Sequence, residues 1–175
     1  MNQHYIITGA PGTGKTAIIN VLKERGYSCV DENSREIIAK QIINGGEILP
    51  WKNQIAFENL IASKRSKQYA SIPKDVACFF DRSTIDCIAY LKANNLESSA
   101  EILKIIKNCE FNSNVFYTPI WKEIYINDSE RKENIESAVT IEKSLLDVYS
   151  FFGYTLIAIP KLPTSERVNF ILSKI

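Results

Sequence analysis

Short apolar runs alternate with longer amphipathic segments along the chain, and this alternation predicts its layout. The apolar runs have the length and composition of strands that are covered on both faces. They predict strands at 4–8, 27–30, 76–80, 114–117 and 154–159. The segments between them predict helices over 15–25, 34–44, 51–70, 84–94, 98–107, 134–152 and 163–175. Because strands separated by helices pair in parallel, the pattern predicts an α/β fold: a three-layer α/β/α sandwich with a mainly parallel five-stranded sheet.

The apolar spacing also predicts which helical side chains face the sheet. The expected inward residues are Ile18, Ile19 and Leu22 in the first helix, Ile37, Ile38, Ile42 and Ile43 in the second, and Ile135, Ala138, Val139, Leu145, Leu146, Tyr149 and Phe152 in the helix over 134–152. The charged run at 64–67 is expected on the solvent side of its helix.

Length, charge and cysteine usage narrow the class of protein. A chain of 175 residues fits one domain over 1–175. A net charge of +1 argues against a broad nucleic-acid surface. The sequence shows no membrane-length apolar run and no secretory signal, so we expect no membrane partner and a cytoplasmic location. Four cysteines without a C-x-x-C pair, beside one histidine, argue against zinc.

The strongest motif lies between the first predicted strand and the first predicted helix. Residues 9–16 fit G-x-x-x-x-G-K-[ST], the loop whose backbone amides hold nucleotide phosphates. The expected cofactor-binding residues are Gly9, Ala10, Pro11, Gly12, Thr13, Gly14, Lys15, Thr16 and Ala17. Lys15 is expected on the β/γ-phosphate oxygens and Thr16 on Mg²⁺. The motif therefore predicts binding of ATP or GTP with Mg²⁺.

Polar residues follow the next two strands and predict a second substrate. Asp81 ends the third strand, where a carboxylate can hold Mg²⁺; the alternative is a helix cap. Asp31 and Glu32 end the second strand, and either could orient an acceptor hydroxyl, with Glu32 as the base. Arg35 could steady the substrate, and Arg82 could offset charge on the transferred group. The alternatives are helix-capping acids and surface arginines.

A polar segment at about 119–133 is a candidate lid. In it Arg131 could cover the phosphates and exclude water, or the charged run could be a solvated loop. Trp51 and Trp121 are expected to pack loops against the core, with base stacking as the alternative.

Five segments together resemble the small P-loop ATPase and kinase-like family labelled AAA, whose relatives include the nicotinamide-riboside kinase domain of bacterial NAD-metabolism regulators. They are ITGAPGTGKT, DENSREII, FFDRSTIDCIAYL, IYINDSERKE and GYTLIAIPKLPTSERVNFIL. The triplet Asp81-Arg82-Ser83 is also similar to the D-R-S element of deoxynucleoside kinases. The resemblance implies ATP–Mg²⁺ binding and favours Lys15, Thr16, Asp81, Glu32, Arg35 and Arg131 as site residues.

Two functions are compatible with these features. The first is an ATP-dependent kinase acting on a small, nucleoside-like hydroxyl compound. The second is a nucleotide-binding switch or slow ATPase that regulates a protein partner. ATP is favoured over GTP because the chain lacks the N-K-x-D element that selects guanine.

Overall fold

The computed structural model describes residues 2–121 and 135–175 of the chain. The strands are β1 (His4–Thr8), β2 (Ser28–Val30), β3 (Cys78–Asp81), β4 (Asn114–Tyr117) and β5 (Thr155–Ala158). The helices are α1 (Lys15–Glu24), α2 (Ser34–Ile43), α3 (Gln54–Ala70), α4 (Thr84–Ala93), α5 (Ala100–Lys107), α6 (Ile135–Phe151) and α7 (Thr164–Leu172). Each lies close to its predicted position, and β1 and β4 match at both ends.

All five strands pair in parallel, in the order β2-β3-β1-β4-β5. The predicted fold class is therefore confirmed. Strand β1 lies at the centre of the sheet, where Ile7 is opposite Asp81 and Thr8 is opposite Tyr117. The carboxyl ends of β1, β2 and β3 thus meet at one edge, and α/β folds bind their ligands at that edge.

Alternate strand residues face two separate cores, as the period of two requires. Ile7, Phe79 and Phe116 pack against α1 and α7 on one face of the sheet. Ile6, Phe80 and Val115 face the other layer. That layer contains buried residues of α2, α3, α4, α5 and α6. The sheet is therefore covered on both faces, which explains the continuous apolar runs of its strands.

Two of the predicted helix faces need correction. Ile42 and Ile43 are 58% and 81% exposed, because the contacts of α2 with the core end at Ile37 and Ile38. Val139 of α6 is also exposed, because Ile141 and other residues on the Ala138 side of the helix fill the core instead. In α1 the predicted face is buried throughout.

Most of the candidate lid at 119–133, including Arg131, lies outside the described residues. The described part, Pro119, Ile120 and Trp121, follows β4 without forming a helix or strand. Among the residues that are described, no helix has the length and apolarity needed to cross a membrane.

Candidate functional site

The loop between β1 and α1 is held in a shape that only glycine allows at two positions. Gly9 has a φ of 145°, and a Cβ there would lie 2.3 Å from Thr118 Oγ1. Gly14 has a φ of 88° and forms the N-cap of α1 without any side-chain hydrogen bond to the helix. The first amides of α1 are therefore left for another acceptor, and the positive end of the helix favours an anion.

Lys15 lies inside this loop rather than extending into solvent. Its side chain is buried, and Nζ donates to the carbonyl oxygens of Gly9 at 2.9 Å and Ala10 at 2.7 Å. Burial and the neighbouring Arg82 lower the pKa of Lys15 to about 7, although Asp81 raises it. The ammonium group is thus poorly compensated in the free protein, as expected of a cation built to receive an anionic ligand.

Asp81 ends β3 beside the loop, with only 4% of its surface exposed. Its Oδ1 is buried and has no hydrogen-bond partner among the described residues. Burial raises the pKa of Asp81, against the opposing effects of Lys15 and Arg82. A buried carboxylate oxygen without a partner fits Mg²⁺, which prefers oxygen ligands and keeps several waters. Thr16 is exposed at the start of α1 and can offer its hydroxyl to the same ion.

Arg82 follows Asp81 in a left-handed turn, with a φ of 73° that is unfavourable for a residue with a side chain. Its Nη1 donates to Asp86 Oδ1 at 3.3 Å, and its Cζ lies 5.2 Å from the centre of the Tyr90 ring. The guanidinium is therefore buried and held by α4. Its positive charge acts to lower the pKa values of Lys15, Glu32 and Asp81, so Arg82 affects the protonation of all three side chains.

Glu32 follows β2 and reaches toward α3. Its Oε1 accepts hydrogen bonds from Ser34 N at 2.8 Å and from Arg65 Nη2 at 3.4 Å. Burial would raise the pKa of Glu32, but Arg65 and Arg82 outweigh burial and lower it. The carboxylate is therefore ionised at neutral pH and can accept a proton. The structure thus brings Glu32, Lys15, Asp81 and Arg82 together.

Two of the predicted substrate-binding residues, Asp31 and Arg35, are exposed. Asp31 is 62% exposed and forms an ion pair with Lys23 of α1 at 2.5 Å. Successive residues at a strand end point to opposite faces, so Asp31 turns toward α1 while Glu32 turns toward α3. The expectation that Asp31 joins the substrate site stays a prediction, while its carboxylate is paired with Lys23 on the α1 side. Arg35 is exposed in the first turn of α2.

Three buried charged residues of the site were not predicted from the sequence: Glu58, Arg65 and Asp86. Tyr149 is buried as its helical spacing predicts, and its hydroxyl also reaches the site. Arg65 was expected in solvent, yet its Nη1 donates to Ser83 O at 2.8 Å. Glu58 lies two turns before Arg65 on the same side of α3, and burial raises its pKa to about 7. The spacing of these two residues matches the buried Phe57, Ile61 and Tyr69 of the same helix, and could have identified both.

The phosphate loop is also supported from α7. Arg167 is buried, and its Nη1 donates to Thr13 O at 3.3 Å while its Nε donates to Leu162 O at 2.7 Å. Its Cζ lies 4.8 Å from the centre of the Trp121 ring. Trp121 therefore packs its loop against Arg167, which is the packing role expected for it.

Comparison with known proteins gives a family and a fold. The sequence profile described as AAA domain matches residues 4–167. No curated protein matches the chain significantly. Deoxyadenosine kinase from M. mycoides with bound dCTP has a similar structure, with a TM-score of 0.69 and 19% identity over 98% of this chain and 97% of that one. The NadR protein in complex with NR gives a TM-score of 0.72 and 13% identity, over 98% of this chain and 49% of that one.

Thymidylate kinase from Candida albicans is similar as well, with a TM-score of 0.66 and 13% identity over 99% of this chain and 91% of that one. At these identities the likeness shows a shared fold, that of the P-loop kinases. The profile covers nearly the whole chain, with its phosphate loop and Asp81-Arg82-Ser83 turn. The protein therefore belongs to the AAA domain family.

Proposed function

We propose that this protein is a kinase that transfers a phosphoryl group from ATP, with Mg²⁺, to a hydroxyl group of a nucleoside-like acceptor. One observation carries the proposal: an ionised carboxylate, Glu32, lies with Lys15, Asp81 and Arg82 at the carboxyl ends of three neighbouring strands. A nucleotide-binding switch needs Lys15 and Asp81, but it does not need a base facing them.

In this proposal the loop at 9–16 binds the triphosphate. The uncapped amides of α1 and the Lys15 ammonium would take the β/γ-phosphate oxygens, and Lys15 would exchange its two loop carbonyls for them. Thr16 and Asp81 would hold Mg²⁺, which when bound supplies positive charge beside the transferred group. Arg82, already fixed by α4, would offset charge on the equatorial oxygens.

Glu32 would receive the proton of the acceptor hydroxyl. As the hydroxyl oxygen forms its bond to the γ-phosphorus, the bond from that phosphorus to the bridging oxygen breaks and ADP leaves. The hydroxyl proton passes to the carboxylate, which Arg65 and Ser34 N keep oriented and ionised. The same two donors would hold the carboxylate in place before the substrates bind, which is how positioning contributes to the rate.

The acceptor class rests on chemistry and on similar folds. The names of two similar structures, deoxyadenosine kinase and thymidylate kinase, describe enzymes that phosphorylate nucleosides or nucleotides. Both share their fold with nearly the full length of this chain.

All four cysteines are free thiols, which suits a reducing cytoplasm.

The test is a screen of ATP consumption against nucleosides and vitamin ribosides, with the phosphorylated product identified by mass spectrometry. An active acceptor should raise ATP turnover well above the rate with water alone. Glu32→Gln should bind ATP normally and lose about 10²-fold or more in transfer rate. Lys15→Ala should lose the thermal stabilisation by ATP.

Asp31→Asn is the matched control, because Asp31 follows the same strand but is bound to Lys23. It should keep the wild-type transfer rate. If Asp31→Asn is as slow as Glu32→Gln, the base has been misassigned. If turnover is the same with every hydroxyl compound while a protein partner distinguishes ADP from ATP, the protein is a switch and the proposal fails.

A further inference from the structure

Asp86, in the first turn of α4, has no solvent exposure and uses both carboxylate oxygens. Oδ1 accepts from Thr8 Oγ1 at 2.6 Å and from Arg82 Nη1 at 3.3 Å. Oδ2 accepts from Ser83 N at 2.8 Å and from Tyr149 OH at 2.5 Å. One carboxylate therefore joins the end of β1, the turn after β3, and α6.

Helix capping accounts for only part of this arrangement. The capping box of α4 requires one oxygen of Asp86 on the backbone of Ser83, and a neutral side chain could supply it. Burying a full charge is unfavourable unless that charge is paired and hydrogen-bonded. The second oxygen instead binds Thr8, directly before Gly9, and Arg82, directly after Asp81. Both contacts are at the proposed phosphoryl-transfer site.

We infer that Asp86 is a positioning residue for phosphoryl transfer, acting by holding the Arg82 guanidinium and the Thr8 end of the phosphate loop in place. This inference rests on the proposed function. Arg82 lies within the electrostatic reach of two other carboxylates, Glu32 and Asp81. Without Asp86 it would be free to pair with either one, neutralising the base or competing with the metal ligand. Asp86 thus keeps Arg82 near both carboxylates without letting it bind them.

Tyr149 fixes the orientation of Asp86. Its hydroxyl contacts Oδ2 of Asp86 and lies 2.7 Å from Ser83 Oγ. Removing this hydroxyl leaves the charge of Asp86 and its bonds to Arg82, Thr8 and Ser83 N in place, but takes away the hydrogen bond that holds the carboxylate from α6. Tyr149→Phe is therefore a milder test than substitution of Asp86 itself, which could unfold the protein.

Tyr69→Phe is the matched control. Tyr69 is also a buried tyrosine, and its hydroxyl donates to Glu110 O at 2.7 Å. It packs on His4, which begins β1, so it lies near the opposite edge of the sheet from Thr8 and Asp81. Each variant loses one tyrosine hydroxyl that makes two hydrogen bonds within the described part of the chain, one beside Asp86 and one away from it.

The experiment compares four proteins: wild type, Tyr149→Phe, Tyr69→Phe and Asp86→Asn. For each it measures kcat with the acceptor found in the screen, KM for ATP, the urea midpoint of unfolding and the Nε–Hε NMR signal of Arg82. Both tyrosine variants should lower the urea midpoint by similar amounts. Tyr149→Phe should lower kcat about tenfold with little change in KM, as expected for a loss confined to the transition state. Tyr69→Phe should keep the wild-type kcat. Asp86→Asn should lower kcat further and broaden the Arg82 signal.

Equal kcat values in the two tyrosine variants, or an unchanged Arg82 signal in Asp86→Asn, would overturn the inference. Failure of the proposed function has a different signature. Wild type would then show no acceptor-dependent turnover with any compound. In that case the Arg82 signal alone decides whether Asp86 positions the guanidinium.

Discussion

Binding of a triphosphate should be accompanied by uptake of a proton at Lys15. In the free protein the pKa of Lys15 is about 7, because burial and Arg82 disfavour its charge. A bound triphosphate places several negative charges beside the ammonium group and returns the pKa toward its ordinary value of 10.5. The difference between the two values corresponds to about 5 kcal/mol of interaction with the charged form.

The pKa values fix both the sign and the size of the effect. Because the pKa is lower in the free protein than in the complex, the contribution of Lys15 to binding is largest below pH 7 and falls as the pH rises. With a free pKa of about 7, about 0.5 proton is taken up per nucleotide at pH 7 and about 0.9 at pH 8. Between pH 8 and pH 10 the association constant should fall about tenfold per pH unit.

Isothermal titration calorimetry measures this uptake from the dependence of the binding enthalpy on the ionisation enthalpy of the buffer. An ATP analogue with an uncleavable β–γ linkage, without Mg²⁺, removes turnover and metal-linked proton release. Lys15→Arg keeps the positive charge at every pH and cannot titrate, so it should show much smaller uptake at pH 8. Uptake near zero in wild type at pH 8, or equal uptake in Lys15→Arg, would refute the assignment of Lys15.

The buried residues outside the phosphate loop give three further predictions. Arg65→Met should lower the free energy of unfolding in urea by about 3 kcal/mol, because Glu32 loses its ion-pair partner. The same loss should raise the pKa of Glu32 and so move the acidic limb of the kcat/KM profile to higher pH. Burial raises the pKa of Glu58 from 4.5 to about 7, so the charged form of this side chain destabilises the fold above pH 7. At pH 8 the free energy of unfolding of Glu58→Gln should therefore exceed that of wild type by about 3 kcal/mol. At pH 4, where Glu58 is uncharged, the variant should be no more stable than wild type. Ile43→Gln should change the free energy of unfolding by less than about 0.5 kcal/mol, whereas Ile37→Ala should lower it by about 3 kcal/mol.

The fold could be predicted because its strands and helices have different apolar periods. A run such as His4–Thr8 is apolar on both faces, and only a sheet covered by helices on both sides satisfies that pattern. The apolar period does not show in the same way which apolar side chains at the end of α2 and on α6 are buried. Ile42 and Val139 are apolar at acceptable spacings, but whether a neighbouring element reaches them depends on where the core ends.

The phosphate loop could be predicted because its motif acts mainly through the backbone. Gly9, Gly14 and Lys15 are close in sequence, and the strand and helix around them fix their geometry. The pair Asp31 and Glu32 shows where such reasoning needs a second step. Adjacent residues at a strand end face opposite layers, so Glu32 pairs with Arg65 of α3 whereas Asp31 pairs with Lys23 of α1.

For Arg65 the local run of charge predicts solvent exposure, whereas the helical period predicts burial. Within 64–67 it resembles a solvated face, yet it lies one turn after Ile61 and one turn before Tyr69, both buried. Asp86 carried a readable signal as well, since Ser83 followed three residues later by an acid is a capping box. Neither pattern reveals that Arg65 of α3 comes close enough to Asp86 of α4 for its charge to lower the pKa of that carboxyl, because this proximity depends on tertiary packing.

The charges of the site suggest why its cations are buried before any nucleotide arrives. Lys15, Arg65 and Arg82 lie among Glu32, Asp81 and Asp86, and Glu58 adds a fourth acid whose pKa is raised to about 7 by burial. In a medium of low dielectric constant, fixed charges act more strongly on a ligand than they would in water, and they need no rearrangement during the reaction. The left-handed turn at Arg82 and the partly neutral Lys15 are unfavourable in the free protein. The negative charge of a bound triphosphate makes protonation of Lys15 favourable and so removes the second of these unfavourable features. The free energy released in this way contributes to nucleotide binding.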